Sequence, residues 1–87
     1  MDTQWMNSFR EKLDQHYAWP SLYLFKFIVP TAREQEVRDL FPRHETIGKL
    51  SKQGNYTSIT VQMMMPSSEA VIEVYEKAAQ IEGIVAL

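Results

Sequence analysis

Four polar side chains have the chemistry of a binding site. Tyr56 and Ser58 follow a turn in the middle of the chain, and residues two apart lie on the same face of a strand. Lys52 precedes them in the turn, and Lys26 lies in an earlier apolar stretch. An ammonium group, a phenol and a hydroxyl can together hold a carboxylate. No requirement of folding explains the types of Lys52, Tyr56 and Ser58, so we expect these side chains to contribute to binding.

Catalysis needs grouped residues that this sequence does not provide. The two histidines, His16 and His44, stand neither at metal-ligand spacing nor beside a candidate nucleophile. The three glycines are isolated from one another, so they form no phosphate-binding loop. The acidic residues belong to predicted helix surfaces, without a converging pair for acid–base chemistry. We therefore expect a protein that is not an enzyme and that uses no cofactor or metal ion.

Length and composition indicate one small globular domain. The chain has 87 residues, of which 45% are hydrophobic and 23% charged, with a net charge of -2. The slightly acidic balance argues against a protein whose main ligand is a polyanion. Cysteine is absent, so disulfides cannot stabilise the fold. With no apolar run near the roughly 20 residues of a membrane span and no basic, apolar leader, we expect a cytoplasmic protein that does not bind a membrane.

Two strongly patterned strands dominate the sequence. Residues 22–29 are rich in aromatic and β-branched side chains, and residues 56–65 alternate cleanly between two faces. Gly54 and Asn55, just before the second strand, suit the positive φ angles of a hairpin turn. Residues 45–51 predict a weaker edge strand, and residues 84–87 a last strand.

Helical spacing predicts three helices. Apolar residues recur at helical intervals in residues 3–15, and residues 31–41 open on Thr31 and Glu34 at the spacing of a capping box. A third helix begins after Pro66 with two serines as candidate caps and ends before Gly83. Residues 1–18 would then form an N-terminal helical extension and residues 19–87 a domain in the order β-α-β-β-α-β.

This order predicts an α+β fold of the ferredoxin-like type, a four-stranded antiparallel sheet with two helices on one face. An unpaired buried ammonium is costly, so Lys26 should point to the open face of the sheet. The same alternation then places Leu22, Leu24 and Ile28 outward beside it. Such an exposed apolar patch normally marks a covered or contacted surface. Either the N-terminal helix folds back over it, or the patch forms a homodimer or binds another protein.

The stretch of residues 51–61, together with Pro20, Lys26 and the closing residues 81–83, resembles the YbeD-like family of small bacterial proteins of unknown function. The resemblance covers residues 19–87 and is strongest in the Lys-x-Gly-Asn-Tyr-x-Ser run. It implies a ferredoxin-like sheet similar to that of regulatory ACT domains, which bind amino acids at dimer interfaces, and it implies no established activity. ACT ligand sites use a glycine-containing loop after the first strand, where this chain has residues 29–32 without glycine.

The functional expectation is a non-catalytic binding or regulatory module that acts through the open sheet face or an edge strand. Its partner would be a protein or a second copy of the chain. Amino-acid sensing of the ACT type is the alternative, and single-stranded RNA binding is less favoured because Ser58 and Thr60 stand where a second outward aromatic is needed. The expected contact residues are Leu22, Leu24, Lys26, Ile28, Lys52, Tyr56 and Ser58.

Overall fold

The computed structural model, which describes residues 3–87, consists of a four-stranded sheet with helices on one side. A short 3-10 turn, Thr31–Arg33, runs directly into the second helix. All strand pairs are antiparallel, and the strand order across the sheet is β2-β3-β1-β4. The small α+β fold with a four-stranded antiparallel sheet and an additional N-terminal helix is therefore confirmed. The elements are α1 (Thr3–His16), β1 (Ser21–Pro30), α2 (Glu34–Arg38), β2 (Ile47–Leu50), β3 (Tyr56–Met65), α3 (Ser68–Ala78) and β4 (Val85–Ala86).

The central strand pair separates the two faces of the sheet. β1 and β3 are paired over ten residues each, with Ser21 opposite Met65 and Pro30 opposite Tyr56. Phe25, Phe27 and Ile59 point to the helices and have no exposed surface. Since side chains alternate along a strand, the even-numbered residues of both strands form the opposite, open face.

The core lies between this inner face and the helices. The Ser67 side chain caps α3 by accepting a hydrogen bond from the Ala70 amide at 3.2 Å, as the sequence predicts. Val71 and Ile72 of α3 and Val37 of α2 are almost completely buried. These helices cover only the inner face, and no helix within residues 3–87 lies on the open face.

The N-terminal helix packs beside α3 and does not cover the open face. The Phe9 ring lies 5.6 Å from the Tyr75 ring, centroid to centroid, and Leu13 is 5% exposed within the core. The hypothesis that this helix hides the apolar patch is therefore wrong. Phe9 of its apolar stripe packs instead against α3, where Tyr75 offers an aromatic surface, while Trp5 stays 46% exposed. The domain boundary after residue 18 stays a prediction, and residues 1 and 2 of the predicted extension lie outside the described residues.

The second helix is much shorter than its sequence pattern indicates. The predicted helix 31–41 is reduced to Glu34–Arg38 after the 3-10 turn, and the cap positions of both pieces have no side-chain hydrogen bond. The predicted capping box is wrong because Thr31 directs its hydroxyl to Gly54, at 2.8 Å, in the β2–β3 loop. The predicted ion pair between Glu34 and Arg38 is present at 3.4 Å.

The loop between β2 and β3 depends on one glycine. Gly54 has φ +76°, whereas no described residue other than a glycine has a positive φ, so the expectation for Asn55 is wrong. The loop is closed by hydrogen bonds from the Ser51 amide to the Tyr56 carbonyl at 2.8 Å and from the Gly54 amide to the Ser51 carbonyl at 2.9 Å. This loop positions the polar residues that follow.

Candidate functional site

The open face of the sheet exposes large apolar side chains. Leu22 and Leu24 of β1 are 50% and 54% exposed, and Met64, directly opposite Leu22, is 61% exposed. Ile47 of β2 extends this surface, since it pairs with Thr60. An exposed apolar surface that continues across neighbouring strands is unusual unless it makes a contact. We call the outward side chains of the four strands the open face.

Lys26 lies in the middle of this face, opposite Thr60 on the neighbouring central strand. Lys49 lies on the same face because it pairs with Ser58, and Lys52 follows in the loop. None of the three lysines forms an ion pair with another described residue. The four strands and the loop 51–55 contain no aspartate or glutamate. The strands and loop of the open face therefore carry lysines and no carboxylate, although the whole chain has a net charge of -2. Glu45, just before β2, borders this face beside Leu24 and Thr60.

A concave site at the loop end of the open face brings four of the predicted residues together. This hairpin pocket has a volume of about 280 Å³. Leu22, Leu24 and Lys26 lie outside it, further along β1. Sequence reasoning missed Lys49, Leu50 and Ser51, which the weak pattern of β2 did not identify as site residues. The pocket is lined by Ile28, Lys49, Leu50, Ser51, Lys52, Tyr56 and Ser58.

Hydrogen bonds fix the backbone around the hairpin pocket. The Ser51 hydroxyl oxygen accepts a hydrogen bond from the Tyr56 amide at 3.1 Å, which leaves its own hydrogen free to donate. The Ser58 hydroxyl has only a long contact of 3.5 Å to the Lys49 carbonyl. From the other side, the Thr31 amide donates to the Asn55 carbonyl at 3.0 Å. The loop is thus held at both ends before any ligand arrives.

A second cavity lies on the opposite side of the sheet. It has a volume of about 320 Å³ and opens between α1, α3 and β4. It is lined by Trp5 and Phe9 of α1, Tyr75 of α3, Leu87 and other apolar residues. We call it the helix-side cavity; its lining offers few polar groups to orient a ligand.

Comparison with known proteins gives a family. Residues 14–87 match the model of the family described as "Protein of unknown function (DUF493)". The chain belongs to the DUF493 family. The predicted resemblance to the YbeD-like family is consistent with this membership, while the match begins earlier than residue 19. No curated protein and no solved structure matches the chain.

The extent of the DUF493 match separates the two cavities. Every residue that lines the hairpin pocket lies within residues 14–87. The helix-side cavity, in contrast, depends on Trp5 and Phe9, which precede the matched segment. The hairpin pocket and the open face are thus features of the DUF493 segment itself.

Two buried phenols of the DUF493 segment are structural. The hydroxyl groups of Tyr23 and Tyr75 lie 3.0 Å apart. Burial raises the pKa of Tyr75 far above its usual value, and the hydrogen bond with Tyr23 raises it further. Burial also raises the pKa of Tyr23, while its hydrogen bond to Tyr75 acts in the opposite direction. Both phenols stay neutral at neutral pH and hold β1 against α3.

The described part of this DUF493 chain, residues 3–87, contains no group of three or more histidine, cysteine, aspartate or glutamate side chains arranged to hold a metal ion. Within the same residues, no helix has the length and apolar character needed to cross a membrane.

Proposed function

We propose that this DUF493 protein is a non-catalytic binding or regulatory module that binds a partner protein through the open face. The observation that carries the proposal is an apolar sheet surface that bears three lysines and that none of the described helices covers. Leu22, Leu24 and Ile28 supply the apolar contact, and Lys26 lies at its centre. Burying exposed apolar area of this kind against a partner is favourable and stabilises the complex.

Charge favours a different protein over a second copy of the chain. A face-to-face dimer would bring Lys26, Lys49 and Lys52 of both copies into one interface, with Glu45 of each copy at the edge as counter-charge. An excess of like charges in one interface opposes association. A segment that carries both acidic and apolar side chains matches the surface in both respects. The proposed partner is therefore a protein with such a segment.

The strand order β2-β3-β1-β4 supports a ferredoxin-like architecture related to ACT domains, but the loop after β1 supports amino-acid sensing poorly. In that loop, the Thr31 amide donates to Asn55 and the Thr31 hydroxyl donates to Gly54. These donors are already used and cannot orient a ligand carboxylate. Single-stranded RNA would need outward aromatics, whereas Tyr23 is only 8% exposed and Ser58 and Thr60 face outward.

Site-specific photo-cross-linking in native cells tests the proposal. The photoreactive amino acid p-benzoylphenylalanine is placed in the full chain at position 22, on the open face, or at position 73, on the exposed side of α3. We expect a protein adduct from position 22 and none from position 73. The cross-linked partner peptide, sequenced by mass spectrometry, should contain acidic and apolar residues, and Lys26→Glu should lower the adduct yield about tenfold.

Three other outcomes would contradict the proposal. An adduct of twice the chain mass would show that the open face binds a second copy. An adduct that nuclease digestion removes would show that it binds RNA. Equal adduct yields from positions 22 and 73 would show that the open face has no special role.

A further inference from the structure

The hairpin pocket differs from the rest of the open face in its concave shape and in its lining by two lysines. Lys49 and Lys52 both line it, and neither forms an ion pair with a described carboxylate. Two lysine residues that line one small concavity give it a positive potential, which attracts an anion. The nearest part of the chain offers no compensating charge, since the loop 51–55 and the flanking strands contain no acidic residue.

Three hydroxyl groups that can donate hydrogen bonds also line the hairpin pocket. The Ser51 hydroxyl accepts from the Tyr56 amide and so keeps its hydrogen for a ligand. The Tyr56 side chain is half exposed, and its phenol has no hydrogen-bond partner among the described residues. The Ser58 hydroxyl, with only its long contact to Lys49, can turn to donate. Carboxylate and phosphate oxygens accept hydrogen bonds from hydroxyl groups of this kind.

Apolar surface forms the remaining wall of the hairpin pocket. Ile28, Leu50 and the Tyr56 ring line it, and these side chains cannot solvate charge. Its volume of about 280 Å³ lies just below the range for ligand pockets, roughly 300–1,000 Å³. The pocket therefore suits a compact ligand with one charged end and one apolar end, and it is too small for a dinucleotide.

We propose that the hairpin pocket binds a small organic anion, a carboxylate or phosphate monoester attached to a compact apolar group. Lys49 and Lys52 pair with the anionic group, Ser51 and Ser58 donate hydrogen bonds to it, and Ile28 and Leu50 contact the apolar end. The pocket is held in this shape by the hydrogen bonds of Thr31 to Gly54 and Asn55, so little ordering is needed on binding. The proposal goes beyond protein binding at the open face and does not require it.

A titration followed by ¹H–¹⁵N NMR tests the site with the full chain. Benzoate and phenyl phosphate are the two probes, benzamide is the uncharged control, and ionic strength is held constant with sodium chloride. We expect saturable shifts with a Kd below about 10 mM, concentrated on amides of residues 49–58, from at least one anion and not from benzamide. The anion with the lower Kd distinguishes a carboxylate site from a phosphate site.

Variants of the lysines identify the groups that bind the anion. Lys49 and Lys52 are exposed, so Lys49→Gln with Lys52→Gln should preserve the spectrum and weaken the better anion at least tenfold. Lys77→Gln, on the exposed side of α3, is the control and should change the Kd less than twofold. Leu24→Asp, outside the pocket, should leave the Kd unchanged even where it abolishes partner binding, so the two proposals fail separately.

Several results would overturn the proposed anion site. Equal shifts from benzamide would show apolar binding alone, and equal shifts from added chloride would show non-specific screening. A Kd unchanged in the double lysine variant, or no saturable shift from either anion, would also refute the proposal.

Discussion

The hydroxyl group of Thr31 donates a hydrogen bond to the carbonyl oxygen of Gly54 over 2.8 Å. Since that donation uses its only hydrogen, the 3.0 Å contact between the hydroxyls of Thr31 and Thr57 is a donation from Thr57. Thr57 is 2% exposed, so its buried hydroxyl depends on the half-buried Thr31 as its acceptor. Thr31, which follows β1 directly, thus fixes the loop that carries Lys52 and leads into Tyr56.

Thr31→Val should destabilise the protein by about 1–3 kcal/mol, because the isosteric change leaves the Thr57 hydroxyl and the Gly54 carbonyl without partners. Thr31→Ser keeps the hydroxyl and is the matched control. Urea unfolding measures the free energy, and hydrogen exchange of amides 51–56 measures the loop. Equal stability of the Val and Ser variants would show that the hydrogen bonds contribute nothing.

Tyr75→Phe should cost about 1–3 kcal/mol, since it leaves the Tyr23 hydroxyl buried without its partner. Adding Tyr23→Phe should recover much of that loss, because the double variant buries no unpaired hydroxyl. Urea unfolding of both single variants and the double variant gives the coupling free energy. Additive losses would mean that the 3.0 Å contact between the two hydroxyls is energetically unimportant.

The same pair should make stability fall at high pH. Burial raises the pKa of both tyrosines in the folded protein, whereas unfolded tyrosines ionise near pH 10. Above about pH 10 the unfolded state loses protons first, so the free energy of unfolding should fall by up to about 1.4 kcal/mol per pH unit for each tyrosine. Denaturation between pH 8 and 11.5 should show a shallower decline for the Tyr23→Phe, Tyr75→Phe double variant. Parallel stability curves for the wild-type chain and the double variant would show that Tyr23 and Tyr75 do not cause the decline.

Gly48→Ala should destabilise the protein by about 1 kcal/mol through Arg38. A Cβ atom on Gly48 would overlap with the Arg38 guanidinium group, which donates to the Thr46 carbonyl at 3.3 Å and pairs with Glu34 at 3.4 Å. In an Arg38→Ala background the same glycine change should cost close to nothing. A cost that is equal in both backgrounds would place the strain in the backbone of β2.

Gly83→Ala should be more damaging than Gly54→Ala. Both glycines have positive φ angles, +79° and +76°, but a Cβ on Gly83 would also press on the Pro30 ring, whereas Gly54 has open space around it. Gly54→Ala should therefore cost about 1 kcal/mol from the backbone alone, and Gly83→Ala more. Thermal unfolding compares them directly, and an equal loss would show that the contact with Pro30 is relieved without cost.

The strands were predictable from sequence where both faces are strongly patterned. Phe25 and Val61 alternate with Lys26 and Gln62, and the observed burial follows that alternation because one face alone contacts the helices. The helices were less predictable. Thr31 has the right spacing for a cap, but its hydroxyl is closer to a loop that is distant in sequence.

The position of α1 could not be read from its pattern, because an amphipathic stripe shows which side is buried and not what buries it. The candidate site was predictable in part for a similar reason. Tyr56 and Ser58 belong to a strand with clear alternation, whereas Lys49 belongs to a short edge strand with mixed polarity. Only the register, which pairs Lys49 with Ser58, places that lysine beside the predicted residues.

The most direct test of the open face as a protein-binding surface is the affinity of the cross-linked partner for the wild-type chain and for Leu24→Asp. Leu24 is 54% exposed, so the change should alter the free energy of unfolding by less than about 0.5 kcal/mol. It should weaken the partner at least tenfold, because it removes an apolar contact and places a carboxylate against an acidic segment. An affinity within twofold of wild type, with stability unchanged, would contradict the account.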